Sequence, residues 1–133
     1  MKLTTKSEYS LLALIYIARN GKDRFVKIED ICDQYAISKK YLEQLFVVLK
    51  QTRLVRTKRG AQGGYALARP ADTITLAEIF RMMDGALAPS ESVSTYYFSH
   101  TPIEKEGKVV DLLQTIRDFI AKKLENVTLA DMV

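Results

Sequence analysis

The spacing of hydrophobic residues predicts five helices and one pair of short strands. An apolar run from Leu11 to Ala18 covers more than one face of a first helix, so we expect this helix to be buried on most sides. Thr5 to Glu8 has the capping-box pattern of a hydroxyl followed three residues later by a carboxylate, which places the helix start at Thr5. Asn20-Gly21 is a plausible end.

Two helices separated by a very short turn come next. Apolar side chains at helical spacing predict the second helix, and they are Ile28, Ile31, Cys32 and Tyr35. Only Ala36 and Ile37 separate it from Ser38, a good N-cap for a third helix. The inward stripe of the third helix comprises Leu42, Leu45, Phe46 and Leu49, and its outward face comprises Lys39, Lys40, Glu43, Gln44 and Gln51. This arrangement predicts a helix-turn-helix.

A β-hairpin is predicted after the third helix. Its strands are Leu54–Thr57 and Tyr65–Ala68, and the basic turn between them contains Gly60, Gly63 and Gly64. The run from Arg24 to Ile28 is expected to add a brief edge strand. Pro70 ends the hairpin.

The second half contains two further helices and a loop. A second capping box, Thr75–Glu78, begins a helix that Asp84-Gly85 ends, with Leu76, Ile79, Phe80 and Met83 inward. Residues 86–100 have no helical or strand period and are expected to form a loop. A third capping box, Thr101–Glu104, begins the last helix with Pro102 at its first position. That helix is too long and too apolar on one face for a small globule, so we expect it to pack against the same helix of a second copy.

Charge is distributed unevenly along the chain. The formal net charge is +4, but residues 1–72 hold 14 lysines and arginines against 7 acidic residues, whereas residues 73–133 hold 6 against 9. No acidic residue occurs from Gln44 to Ala71. That stretch has six basic residues, Lys50, Arg53, Arg56, Lys58, Arg59 and Arg69. Such a surface predicts a polyanion as the partner.

Composition excludes several other classes of protein. The Leu11–Ala18 run is too short to span a membrane and has no small-residue cleavage site. The single cysteine, Cys32, excludes an internal disulfide, so we expect a cytoplasmic protein. Cys32 lies on the apolar stripe of the second helix and is expected to be a buried core thiol, with a redox or alkylation sensor as the alternative. With one histidine and no familiar catalytic motif, we expect no enzyme activity, no catalytic or metal-binding residues and no cofactor.

The third helix and the hairpin turn together predict a DNA-binding surface. The predicted contact residues are Ser38, Lys39, Lys40, Tyr41, Glu43 and Gln44 in the helix and Lys58, Arg59, Gly63 and Gly64 in the turn. Gln44 can pair with adenine and Glu43 can accept a hydrogen bond from cytosine in the major groove. The basic turn suits phosphates or a minor groove, and its glycines permit close approach to a sugar-phosphate strand.

Each of these features also has a purely structural alternative. The hairpin can be an ordinary exposed turn whose glycines only satisfy the turn geometry. Glu43 can pair with Lys39 or Lys40 within the helix. The basic face can also bind an acidic protein, because the fold alone does not decide the function.

The chain resembles the Rrf-two family of bacterial winged-helix transcription regulators. The segments that carry the resemblance are MKLTTKSEYSLLAL, ISKKYLEQL, LVRTKRGAQGGYALARP, ITLAEI and VTLADM. The resemblance implies a mainly α fold with a small β-hairpin wing (α+β) and homodimers formed through a long C-terminal helix, here from Pro102 to about Glu125. It also implies that Ser38, Lys40, Tyr41, Glu43, Gln44 and Arg59 occupy positions that contact operator DNA.

The region between the wing and the last helix departs from part of that family. Members that bind an iron-sulfur cluster have three cysteines there, whereas this chain has none from Gly85 to Lys108. Glu8 lies where some relatives supply an acidic cluster ligand, but a cluster of this type also needs thiolates. The resemblance therefore implies a member without a cluster. The aromatic residues Tyr96, Tyr97 and Phe98 either bind a small-molecule or protein effector or pack the dimer seam.

These inferences combine into one expected organisation. A winged helix-turn-helix domain spans residues 1–84, a loop spans 85–101, and residues 102–133 form a dimerisation helix with a tail that packs on the partner. The expected dimer contacts are Val109, Leu112, Leu113, Ile116, Phe119, Ile120 and Leu124. The expected function is a sequence-specific repressor that binds a pseudo-palindromic operator in double-stranded DNA as a homodimer. The alternative is a protein-interaction module.

Overall fold

The protein folds into five α-helices and one antiparallel hairpin, in agreement with the predicted fold class. The computed structural model describes residues 1–133. The helices are α1 (Thr5–Asn20), α2 (Ile28–Tyr35), α3 (Lys39–Gln51), α4 (Leu76–Asp84) and α5 (Gly107–Glu125), and the strands are β1 (Val55–Lys58) and β2 (Gly64–Leu67). Short 3₁₀ turns occur at Ala71–Thr73, Glu91–Val93, Pro102–Lys105 and Leu129–Met132. No helix is long and apolar enough to cross a membrane.

The core lies among α1, α3 and α4, and the predicted inward stripes form it. Every residue of the α3 stripe and of the α4 stripe is buried, as predicted: Leu42, Leu45, Phe46 and Leu49 on α3, and Leu76, Ile79, Phe80 and Met83 on α4. Burial of each large apolar side chain stabilises the fold by roughly 1.5–3 kcal/mol. This packing fixes α3 with its polar face outward.

The turn between α2 and α3 depends on one residue in the left-handed region. Ala36 has φ 54° and ψ 45°, which lets the Ile37 amide donate to the Cys32 carbonyl at 3.2 Å. This is the Schellman arrangement, in which glycine is the usual residue. Ile37 is buried, and Ser38 begins α3 immediately afterwards, as predicted.

The hairpin forms the wing, with its strands shifted by one residue from the predicted bounds. Val55 pairs with Leu67 and Lys58 pairs with Gly64 at the two ends of the register. The predicted edge strand from Arg24 to Ile28 is reduced to one bridge. Its two hydrogen bonds join Val26 and Tyr65, with N···O distances of 2.7 and 2.8 Å. The wing is thus anchored to the segment that precedes α2.

None of the three predicted capping boxes forms, and the first two fail at the start of α1 and α4. The N-cap of α1 is Thr4 rather than Thr5, and its hydroxyl accepts a hydrogen bond from the Ser7 amide at 3.2 Å. Asp84 also accepts from the Thr4 hydroxyl at 2.5 Å, which selects Thr4 over its neighbour. Thr75 caps α4 as predicted, but the Glu78 carboxylate pairs with Arg69 and does not return to the cap.

The prediction that the last helix begins at Pro102 is wrong. Pro102–Lys105 is a 3₁₀ turn and α5 begins at Gly107, with no side-chain cap. The Glu104 carboxylate lies 3.1 Å from the His100 ring, so it does not complete a capping box. The Thr101 hydroxyl is buried without a hydrogen-bond partner. With 19 residues, α5 is about 28 Å long at ~1.5 Å per residue.

The apolar face of α5 divides into two sides. Leu113, Ile120 and Leu124 are partly buried, and the last two pack against the core of their own chain. The remaining residues of the predicted dimer face are exposed: Val109, Leu112, Ile116 and Phe119. Residues 94–100 before α5 form an irregular loop in which Tyr96, Tyr97 and Phe98 are also exposed.

Residues 127–129 of the C-terminal tail pack on the body of their own chain. The Leu76 amide donates to the Val127 carbonyl and the Leu129 amide donates to the Ile74 carbonyl, both at 2.9 Å. Leu129 is fully buried in the core. The end of the chain is therefore part of the winged-helix core.

Replacing Ala36 by glycine should raise the free energy of unfolding by up to about 1 kcal/mol. Glycine avoids the roughly 1–2 kcal/mol cost of the left-handed region, although its greater freedom in the unfolded chain offsets part of the gain. Urea denaturation measures the change. As a control, Ala18→Gly in the last turn of α1, where the backbone is helical, should lower the stability by up to about 1 kcal/mol, and a loss of stability in Ala36→Gly as well would contradict the assignment.

Candidate nucleic-acid interface

The N-terminal turn of α3 is held by its own side chains. The Ser38 hydroxyl accepts a hydrogen bond from the Tyr41 amide at 3.2 Å. The half-buried Tyr41 ring packs edge-on against Tyr9 of α1, with ring centroids 5.5 Å apart. Ser38 and Tyr41, both predicted DNA contacts, therefore also fix where α3 begins and how it sits on α1. Lys40, next to them, is exposed.

Lys39 is paired with a carboxylate on the preceding helix. Its ammonium lies 2.9 Å from Glu29 of α2, and both side chains are about half exposed. The hydrogen bond from Lys39 lowers the pKa of Glu29, and the same bond raises the pKa of Lys39. This predicted phosphate contact is therefore engaged by a carboxylate in the free protein, in a half-exposed pair of the kind that contributes little to stability.

Glu43 and Gln44 form the free part of the outward face. Both side chains are exposed, and no cation lies within ion-pair distance of Glu43. The alternative in which Glu43 pairs with Lys39 or Lys40 is thus not observed. The Glu43 carboxylate and the Gln44 amide are both available to an external donor or acceptor.

The tip of the wing presents Arg59 while Lys58 is partly held. The Lys58 ammonium lies over the Phe25 ring, 5.8 Å from its centroid, and the Arg56 guanidinium lies over the same ring at 4.8 Å. Lys27 donates to the Gly60 carbonyl at 3.4 Å, which ties the turn to the segment before α2. Arg59 is exposed. Phe25 therefore orders two cations of the wing, and Arg59 extends from its tip.

Gly63 and Gly64 are required by the protein itself. A Cβ atom on Gly63 would lie 2.1 Å from the Lys58 carbonyl oxygen, and one on Gly64 would lie 2.3 Å from the Val26 carbonyl oxygen. Gly64 also has a φ of 142°. Gly63 is buried, so close approach to a sugar-phosphate strand is not what selects glycine at these two positions. They close the turn and allow the bridge to Val26.

Tyr65 connects the wing to α3. Its ring stacks on Phe46, with centroids 4.1 Å apart and an angle of 27° between the planes. Burial raises the pKa of the Tyr65 hydroxyl, and the nearby Glu43 charge raises it further. The hydroxyl therefore stays protonated at neutral pH, beside the outward face of α3.

The basic residues from Lys40 to Arg69 fall into two groups. Arg69 forms an ion pair with Glu78 and donates to the Thr73 carbonyl at 3.1 Å, so it stabilises the fold. The other six are exposed and have no carboxylate within ion-pair distance: Lys40, Lys50, Arg53, Arg56, Lys58 and Arg59. Arg56 and Lys58 lie over the Phe25 ring, and the remaining four are available to phosphates.

Sequence reasoning missed three residues of the site, namely Phe25, Glu29 and Tyr65. Phe25 stands between basic residues in the sequence, and this is the only local signal for a cation-binding ring. The pairing of Glu29 with Lys39 and the stacking of Tyr65 on Phe46 join different elements. Neither contact has a signature within a single helix or strand.

The side chains present do not fit an iron-sulfur cluster. No three histidine, cysteine, aspartate or glutamate side chains come together as a metal site would require, and Glu8 is exposed on α1. Cys32 is partly buried rather than fully buried. Burial, followed by the charges of Asp33 and Glu29, raises the pKa of its thiol. A cluster needs several thiolates, and this chain has one protonated thiol, far from the loop in sequence.

Comparison with known proteins places the chain among bacterial regulators. Residues 3–133 match the model of the Rrf2 family, which is described as iron-dependent transcriptional regulators. The chain is 33% identical over 132 residues to the HTH-type transcriptional regulator CymR of Bacillus subtilis, covering 99% of this chain and 89% of that protein. It is 41% identical over 86 residues to the HTH-type transcriptional regulator IscR of Cereibacter sphaeroides, covering 63% of this chain and 56% of that protein.

Solved structures agree with the sequence matches. The structure of B. subtilis CymR, the global cysteine regulator, superposes with a TM-score of 0.80 at 31% identity, covering 99% of this chain and 95% of that one. The structure of T. potens IscR superposes with a TM-score of 0.72 at 31% identity, covering 99% and 85%. The predicted family is confirmed, and the expectation that the chain is not an enzyme agrees with it. The chain therefore belongs to the Rrf2 family of DNA-binding, winged-helix transcriptional regulators.

Proposed function

We propose that the protein is a repressor that binds a pseudo-palindromic operator as a homodimer, without an iron-sulfur cluster. The observation that carries the proposal is the pairing of a free, polar outer face on α3 with a wing whose tip presents Arg59. A helix whose apolar stripe is buried and whose polar face is unpartnered suits a major groove. The wing beside it suits the adjacent backbone or the minor groove.

The side chains on α3 supply both base recognition and phosphate binding. Gln44 suits adenine, which offers a donor and an acceptor, and Glu43 suits the amino group of cytosine. Because Glu43 has no internal cation, it repels bases that offer only acceptors and thus discriminates against wrong sequences. Lys40 and Arg59 suit phosphates, which fix the register of the protein on the duplex.

The exposed side of α5 supports the homodimer. Leu112 and Phe119 are 59% and 71% exposed, and Val109 and Ile116 extend the same apolar side. Spacings of three and four residues are those of a helix seam that packs against another helix. An apolar stripe of this kind is unfavourable in water unless a partner covers it. A second copy is the simplest partner, and its two-fold symmetry matches a pseudo-palindromic operator.

This arrangement supports a separate role for each of three regions. Residues 1–84 supply the DNA-binding surface, residues 85–101 form the region that senses or transmits a signal, and α5 joins two subunits. The absence of cysteines from residues 85–108 leaves a non-cluster signal, such as a small molecule or a protein, for the middle region.

Selection from a random duplex pool tests operator symmetry and dimerisation together. The wild-type protein should select a two-fold motif with half-site centres about one helical turn apart or slightly more. The double variant Leu112→Asp and Phe119→Asp should sediment as a monomer and select single half-sites, because the changes place charge on an already exposed apolar stripe. Asp111→Lys, on an exposed polar position of α5, should remain dimeric. A motif without symmetry, or a dimeric double variant, would refute this part of the proposal.

Arg59→Ala and Glu43→Ala should affect different properties of DNA binding, namely the affinity for any duplex and the preference for one base pair. Loss of the Arg59 phosphate contact should weaken binding to all duplexes and reduce the slope of log K against log[salt] by about 0.9. Loss of Glu43 should leave that slope nearly unchanged or slightly steeper but relax the preference at one base pair, which a good contact sets by about 1–3 kcal/mol. Fluorescence anisotropy with specific and scrambled duplexes measures both. The assignment fails if both variants respond alike.

Glu29→Gln should strengthen sequence-independent DNA binding. The change removes a negative charge and releases Lys39 to a phosphate, so the salt slope should become steeper by about 0.9. The effect should be visible between 50 and about 200 mM salt by anisotropy on a scrambled duplex. Glu91→Gln makes the same charge change in the exposed loop, away from α3, and serves as the control. Equal gains in the two variants would mean that net charge alone, not Lys39, is responsible.

A further inference from the structure

A cleft on the outer side of the wing is the largest concave site on the protein. It has a volume of about 380 Å³ and opens between the C-terminal end of α1 and the wing. Its walls include Ile17, Ala18 and Lys22 from the α1 side, Arg56 and Leu67 from the strands, and Arg69 after the hairpin. This volume lies within the range of small-molecule sites, which are mostly apolar with a few polar groups.

The charges around the cleft all have one sign. Its lining contains Lys22, Arg56 and Arg69 and no acidic residue. Arg69 is neutralised by Glu78, but neither Lys22 nor Arg56 has a carboxylate within ion-pair distance. Two uncompensated cations thus face an otherwise largely apolar hollow. That combination complements a molecule with one anionic end and an apolar body.

Arg56 is held in a position that leaves its donors available. Its guanidinium lies 4.8 Å from the centre of the Phe25 ring, and the structure gives it no hydrogen bond to a side chain or to the backbone beyond its strand pairing. A guanidinium over an aromatic face keeps its N–H donors pointing outward in its plane. These donors match the two oxygens of a carboxylate.

We propose that this cleft binds a small organic carboxylate with an apolar body. Arg56 and Lys22 would receive the carboxylate, and the apolar walls next to Ile17 would cover the rest of the molecule. The site is separate from the outward face of α3 and from residues 85–101. Because Arg56 and Lys58 share the Phe25 ring, the proposed carboxylate would lie next to the cations of the wing.

The test uses 2-naphthoate as the probe and 2-naphthamide as its neutral counterpart. Titration of the isotope-labelled full chain, followed by amide chemical shifts, should give saturable shifts for 2-naphthoate confined to residues 17–22, 56 and 66–71. The amide should bind at least tenfold more weakly. The double variant Lys22→Gln and Arg56→Gln should lose binding by tenfold or more, whereas the double variant Lys105→Gln and Lys108→Gln, on exposed positions outside the cleft, should bind as the wild type does.

Several results would overturn the proposal. These are equal affinity for the amide, shifts centred on α5, or binding that persists when both cleft cations are replaced. Both replaced side chains are exposed, and thermal melting checks that the variant remains folded. Lys22→Glu is a second variant at the rim and should also abolish binding by charge repulsion. None of these readouts involves DNA, so failure here is distinguishable from failure of the proposed repressor function.

Discussion

The stacking of Tyr65 on Phe46 is the contact on which the arrangement of α3 and the wing depends. Phe46 belongs to the buried stripe of α3, so its position is set by the core. Tyr65 belongs to β2, and its backbone N–H and C=O both form hydrogen bonds with Val26. One ring pair at 4.1 Å therefore sets the distance between α3 and the wing. Aromatic stacking adds about 0.5–1.5 kcal/mol to the burial of the rings, which is enough to favour one orientation of so small a sheet.

Fewer cations are free on the surface of α3 and the wing than the count of basic residues suggests. The acid-free stretch from Gln44 to Ala71 contains six cations, yet Arg69 is paired with Glu78 and Arg56 lies over Phe25. Lys39, just outside that stretch, is paired with Glu29. The cations that remain free include Lys40 and Arg59, and Glu43, three residues after Lys40 on α3, has no cation partner. A surface with few free cations and one free carboxylate favours discrimination between sequences over strong indiscriminate attraction.

Local patterns predicted the elements well where one helix or turn contained all the information. The α3 stripe and the Ser38 cap follow from helical period and from cap chemistry within four residues. Prediction failed where a distant residue decides between local options. Asp84 selects Thr4 over Thr5 as the cap of α1, from 80 residues away, and His100 engages the Glu104 carboxylate that would have completed a capping box. Gly63 was predicted to permit close approach to a sugar-phosphate strand, whereas within the fold it is the Lys58 carbonyl that leaves no room for a side chain there.

Helix α4 lies between the wing and α5, and packing of its buried side chains holds it in place more firmly than its ion pairs do. Glu78 on one side reaches Arg69 beyond the wing, and Arg81 on the other reaches Glu125 at the end of α5. Partly exposed pairs of this kind contribute about 0–1 kcal/mol each, too little to transmit a change between α5 and the wing. Ile79 and Phe80 are buried between these pairs, and interiors packed at this density resist gradual deformation. Ile120 and Leu124 of α5 pack against the same core, so burial rather than ion pairing holds the C-terminal half of α5 against α4.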